Sequence, residues 1–153
     1  MYGQEKYARK GRARCAKTNM NRRQARETVF KLLFEGTFHE GRDLAEAYAT
    51  ALEEQGWEDD AYVKEVYFGV GENLAALDEM IEQHSRGWKK SRISPVSLSI
   101  LRLACYEMSY RKDIPYQVSI NEALELVKSY DDEGARSFVN GILGSFSRDE
   151  AGQ

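Results

Sequence analysis

The chain has 153 residues, 42% of them hydrophobic, with 22 basic and 25 acidic side chains for a net charge of −3. That is the length of one domain with material for a core, and no apolar run approaches the roughly 20 residues of a membrane span. No apolar stretch of a signal peptide opens the chain and its two cysteines form no disulfide framework, so a cytoplasmic location is expected.

Charge is distributed unevenly. Nine of the 22 basic residues lie in the first 26 positions, opposed there only by Glu5, whereas the remainder carries 13 basic and 24 acidic groups. A basic arm on an acidic body is the electrostatic footprint of a protein that holds a polyanion, and equally that of a solubilising tail. Residues 1–19 show no helical stripe and read as a basic mobile N-terminal extension, with Met20 a more conventional start. Residues 20–148 read as the folded domain, in two subdomains of about 20–75 and 76–148.

Asn21 and Gln24 resemble a capping box, and Ala25, Val29, Leu32 and Leu33 follow the stripe of an amphipathic helix ending near Thr37–Gly41. A second helix is predicted from Asp43 to Gly56 and a third from about Asp59 through Val70, ended or bent by Gly69 and Gly71. A fourth carries Leu74, Leu77, Met80 or Ile81, and His84, and stops at Gly87. Ser94-Pro95 starts a fifth, to about Tyr110, whose only charged residues are Arg102 and Glu107. Apolar on most sides, it is expected to be the buried central rod. Ser119 and Glu122 read as a second capping box opening a sixth helix, broken by the turn Tyr130–Gly134. The last helix, about 135–147, sets Phe138, Ile142 and Phe146 on one side, with Gly141 permitting close packing. No segment alternates as a strand does, and the domain is expected to be all-α.

Catalytic chemistry finds little support. His39 and His84 have no Cys or second His at metal-ligand spacing, and no Ser/His/Asp or Cys/His set can be assembled. No metal, cofactor or enzymatic activity is expected. The carboxylate clusters at 53–54, 58–60 and 131–133 suit helix ends. Arg22, Arg23 and Arg26 do not, because a helix N-terminus is already partly positive. The same place suits a bound phosphate, which would meet guanidinium groups and backbone N–H groups together.

The segment Ile114–Tyr130, IPYQVSINEALELVKSY, followed by Ser137–Leu143, SFVNGIL, closely resembles the NusB family of transcription antitermination factors. Asn21–Glu27, NRRQARE, is similar to that family's Arg-rich opening, Ile100–Met108 to its central helix, and Gly69–Asp78 extends the likeness, which covers about 20–147. The resemblance implies a NusB-like helical bundle, two small helical subdomains sharing a long central helix. It implies binding of boxA-type single-stranded RNA together with the NusE ribosomal protein, within the transcription elongation complex, in support of ribosomal RNA transcription. Carried onto this sequence, the RNA face includes Arg22, Arg23 and Arg26, with Lys128, Arg136, Phe138 and Asn140 as further candidates. Phe138 reads either as a base-stacking ring or as a core side chain. The ribosomal-protein face corresponds to Phe34, Val96 and Ser97. Two departures stand out: Ser97-Leu98 where many relatives carry a charged pair, and Tyr130-Asp131-Asp132 where a glycine is common.

Two other classes compete with that reading. NusB-like domains also occur fused to RNA methyltransferases, although 153 residues leave no room for a Rossmann-type catalytic domain. A helical protein that self-associates through apolar faces is the third, and a homodimer is left open.

Overall fold

The computed structural model describes residues 20–87 and 89–151; the basic extension 1–19, with Cys15, lies outside them. Among the described residues there are seven α-helices and one short 3-10 turn, with no strand. They form two compact units, one reaching to Phe68 and the other beginning at Gly69.

Helix α1 (Arg22–Gly36) starts at the capping box: Asn21 Oδ1 accepts from the Gln24 backbone N–H at 2.8 Å, and Gln24 Oε1 accepts from that of Asn21 at 2.9 Å. Ala25, Val29, Leu32 and Leu33 are buried as the 3.6 period requires, with Phe30 beside them. Asp43 caps α2 (Leu44–Gln55) through the Glu46 N–H at 2.9 Å, and Gly56 closes it in the left-handed region at φ 70°. Asp60 caps α3 (Ala61–Glu72) through the Val63 N–H at 3.0 Å. Asp59 instead accepts from the Tyr48 hydroxyl at 2.6 Å. Of the 58–60 carboxylates, Asp60 alone serves the helix start as expected.

Helix α3 runs through both glycines and ends one residue past Gly71, at Glu72. Gly69 has a packing role: a Cβ there would lie 2.3–2.4 Å from the Tyr106 ring, so the bare backbone makes room for that side chain.

In the second unit, α4 (Leu74–Gln83) and α5 (Pro95–Tyr110) precede α6 (Tyr116–Tyr130) and α7 (Glu133–Ala151). Ser94 caps α5, accepting from the Ser97 N–H at 3.1 Å, with Pro95 at the first helical position. Every residue from Ser97 to Met108 is buried, and α4, α6 and α7 all pack on this rod. Its two charged residues are satisfied inside. Arg102 donates through Nε and Nη2 to both Asp78 oxygens at 2.8 and 2.9 Å, and Glu107 accepts from the Ser119 hydroxyl at 2.7 Å.

That last bond corrects the reading of Ser119 as a helix cap. Helix α6 begins three residues earlier, after Pro115, and Ser119 is buried within it. A buried carboxylate gains more from the hydroxyl than an exposed helix end would. The break before α7 is also shorter than Tyr130–Gly134: Asp132 Oδ1 accepts from the Ala135 N–H at 3.1 Å and Gly134 is already helical. Gly141, expected at a close contact, is exposed, and a Cβ there would meet no atom within 4 Å.

Candidate nucleic-acid interface

The first turn of α1 contains no acidic residue. Arg22 and Arg23 are exposed, whereas Arg26 is 6% exposed. One ring lies near both Arg22 and Arg26. The Arg22 guanidinium carbon lies 4.4 Å from the centroid of the Tyr62 ring on α3, and that of Arg26 lies 5.9 Å from it. Both are within cation–π range. The three sequence candidates therefore differ in kind: two face solvent, and the third lies in the floor beneath them.

In the second unit, Lys128 near the end of α6 and Arg136 and Asn140 on α7 are exposed. Phe138 is half-buried, while Val139, Ile142, Leu143 and Phe146 fill the core positions of α7. Ile142 and Phe146 lie in the stripe as expected, but Val139 takes its first position and Phe138 stays partly exposed. The acidic turn beside these residues is largely committed elsewhere. Asp131 accepts from the hydroxyls of Ser97 at 2.8 Å and Ser94 at 3.3 Å, and Asp132 caps α7. The residues that stand in place of a glycine tie the start of α5 to the α6–α7 junction.

The proposed protein-contact residues are also unequal. Phe34 is half-buried, stacked near Phe30 with centroids 6.1 Å apart and set edge-on to Phe38 at 5.2 Å. Phe38 is 61% exposed. Val96 is half-buried, but Ser97 is 3% exposed with its hydroxyl bound to Asp131. Ser97 orients the helix start from within.

Among the described residues no three His, Cys, Asp or Glu side chains converge to hold a metal ion, and no helix is long and apolar enough to cross a membrane. His84 joins α4 to α7, with Nδ1 2.8 Å from the Ser145 hydroxyl and Nε2 3.6 Å from Asp149. Cys105 is fully buried, and burial pushes its thiol up to about 12, far from a reactive thiolate. Sequence reasoning missed Tyr62 and Asp78. The periodicity put neither at issue, because each matters through a partner on another helix.

The sequence profile described as the NusB family matches residues 23–148. The transcription antitermination protein NusB of Clostridium acetobutylicum is 44% identical over 128 residues, spanning 82% of this chain and 94% of that one. The protein of the same description from Bacillus pumilus is 46% identical over 130 residues, spanning 85% and 97%. Among solved structures, NusB from T. maritima matches with a TM-score of 0.74 at 38% identity, covering 84% of this chain and 92% of that one. A structure of the antitermination factors NusB and NusE in complex with double-stranded RNA matches with a TM-score of 0.74 at 27% identity, covering 84% and 96%.

Proposed function

This chain belongs to the NusB family of transcription antitermination proteins, which are not enzymes, and from that premise we propose that it holds boxA-type single-stranded RNA together with the NusE ribosomal protein. The solved complex of NusB and NusE with double-stranded RNA supports RNA and NusE as the partner classes, and the single-stranded boxA-type form is what the proposal adds. One observation in this chain carries the RNA reading furthest: Arg22 and Arg23 are exposed at a capped helix start whose first turn contains no carboxylate. Guanidinium forks there would meet phosphate oxygens bidentately, and the helix dipole favours the same anion. Lys128 and Arg136 would add phosphate contacts in the second unit. Asn140 would hydrogen-bond a base edge, and the accessible part of Phe138 would stack on a base. NusE would meet Phe34 and Val96, with Ser97 and Asp131 holding the α5 start in place. Within the elongation complex, such an assembly would support ribosomal RNA transcription.

The salt dependence of RNA affinity tests the arginine assignment. Each phosphate contact to a single strand contributes about 0.7 to the slope of log K against log salt. Arg22→Ala with Arg23→Ala should flatten that slope by about 1.4 and leave the unfolding midpoint unchanged. A double variant with the parent's slope would remove α1 from the RNA face. A duplex of the same sequence, bound as tightly as the single strand, would replace sequence readout by recognition of the backbone alone.

A further inference from the structure

We infer that Tyr62 is a positioning residue for RNA binding, its ring acting as the platform that fixes the Arg22 guanidinium in its phosphate-contacting place. The inference rests on the RNA reading of α1 given above. Tyr62 is 6% exposed, so the ring itself offers RNA almost no surface, and any effect it has must pass through what it supports. It supports the exposed Arg22, 4.4 Å from the ring centroid, and the buried Arg26, at 5.9 Å. Arginine at the first turn of a helix is opposed by the dipole, and here no first-turn carboxylate offsets it. The electron-rich ring face is a compensating attraction, and it comes from α3 in the same compact unit.

The geometry also suits the ligand. A guanidinium whose carbon lies 4.4 Å from a ring centroid still has N–H donors at its periphery for a phosphate to take. A side chain already ordered by the ring loses less freedom when RNA arrives. Immobilising a rotamer-rich side chain ordinarily weakens binding by roughly two- to tenfold. Tyr62 would remove much of that loss from Arg22 without touching the RNA.

Two substitutions separate this role from ordinary packing. Tyr62→Phe keeps the ring face and should bind boxA-type RNA within about twofold of the parent, whereas Tyr62→Leu should bind roughly two- to tenfold more weakly. The decisive comparison is a double-mutant cycle: in an Arg22→Ala background, Tyr62→Leu should weaken RNA binding no further. An equal loss in both backgrounds, or no loss in either, would overturn the inference. Loss of affinity in Arg22→Ala together with full affinity in Tyr62→Leu would do the same while leaving the RNA reading intact. Full affinity in Arg22→Ala would instead defeat the RNA reading of this residue and the inference with it. Should the leucine variant fail to fold, Nε–Hε relaxation in the parent decides. Arg22 should be markedly more ordered than Arg92, an exposed arginine with no ring contact among the described residues, and equal mobility would refute the platform.

Discussion

Asp78 and Arg102 meet inside the second unit through two hydrogen bonds of 2.8 and 2.9 Å, and both are nearly inaccessible. Removing one member of such a pair leaves the other's charge buried, so Asp78→Ala should cost about 3–5 kcal/mol in urea unfolding. Arg111 and Asp113 form a comparable fork at the surface, with Asp113 well exposed, and Asp113→Ala should cost under about 1 kcal/mol. Similar losses for both would mean that burial is not what gives the Asp78 pair its weight. Arg102 stood out in the sequence as one of two charges on an apolar helix, but its partner lies 24 positions away and no spacing rule points to it. Arg26 is the same lesson in reverse: it matched the exposed arginines in sequence and is buried, with Tyr62 from another helix nearby. Residue types announce which groups need a partner; tertiary contacts choose the partner.

Helix positions were more legible, because caps and apolar stripes are local. The Asn21–Gln24 box, the Asp43 cap and Ser94-Pro95 all start helices where the sequence placed them. Ser119 failed as a cap because a buried glutamate from another helix takes its hydroxyl, which a local pattern cannot foresee. The glycines were misread for a related reason. Gly69 looked like a breaker and is a packing site; Gly141 looked like a packing site and is open. Their substitutions should therefore differ in sign. Gly69→Ala drives a methyl group into the Tyr106 ring and should destabilise by about 1–3 kcal/mol. Gly141→Ala meets nothing within 4 Å and should stabilise by about 0.5–1 kcal/mol through its helix propensity. Chemical denaturation of the two variants checks both, and an equal loss in each would refute the assignment of Gly69 to a specific contact.

At the scale of the molecule, the groups among the described residues whose pKa burial raises are tyrosines and a cysteine, which titrate on the alkaline side. Desolvation raises Tyr48, helped by its hydrogen bond to Asp59, raises Tyr67, and pushes the Cys105 thiol up to about 12. Groups whose pKa is raised by folding stabilise the native state below their ordinary values and lose that contribution as pH climbs towards the folded ones. Urea midpoints should therefore hold steady from neutral pH to about 8, where the unfolded thiol begins to ionise, and fall progressively above it; a midpoint unchanged at pH 11 would contradict the burial of these groups. The all-helical fold was legible because seven helices carry their own periodicity, and the family because several motifs occur in order along the chain. The proposed functional surface was legible in part: Arg22 and Arg23 announced themselves by charge at a helix start, but the tyrosine near Arg22 and the serine–aspartate tie at α5 did not. The most direct test of the function is fluorescence anisotropy of labelled boxA-type RNA, with a scrambled strand of equal length as control, in the presence and absence of NusE. Sequence-dependent binding that tightens when NusE is added is the predicted result. Equal, salt-sensitive affinity for both strands, unchanged by NusE, would contradict it.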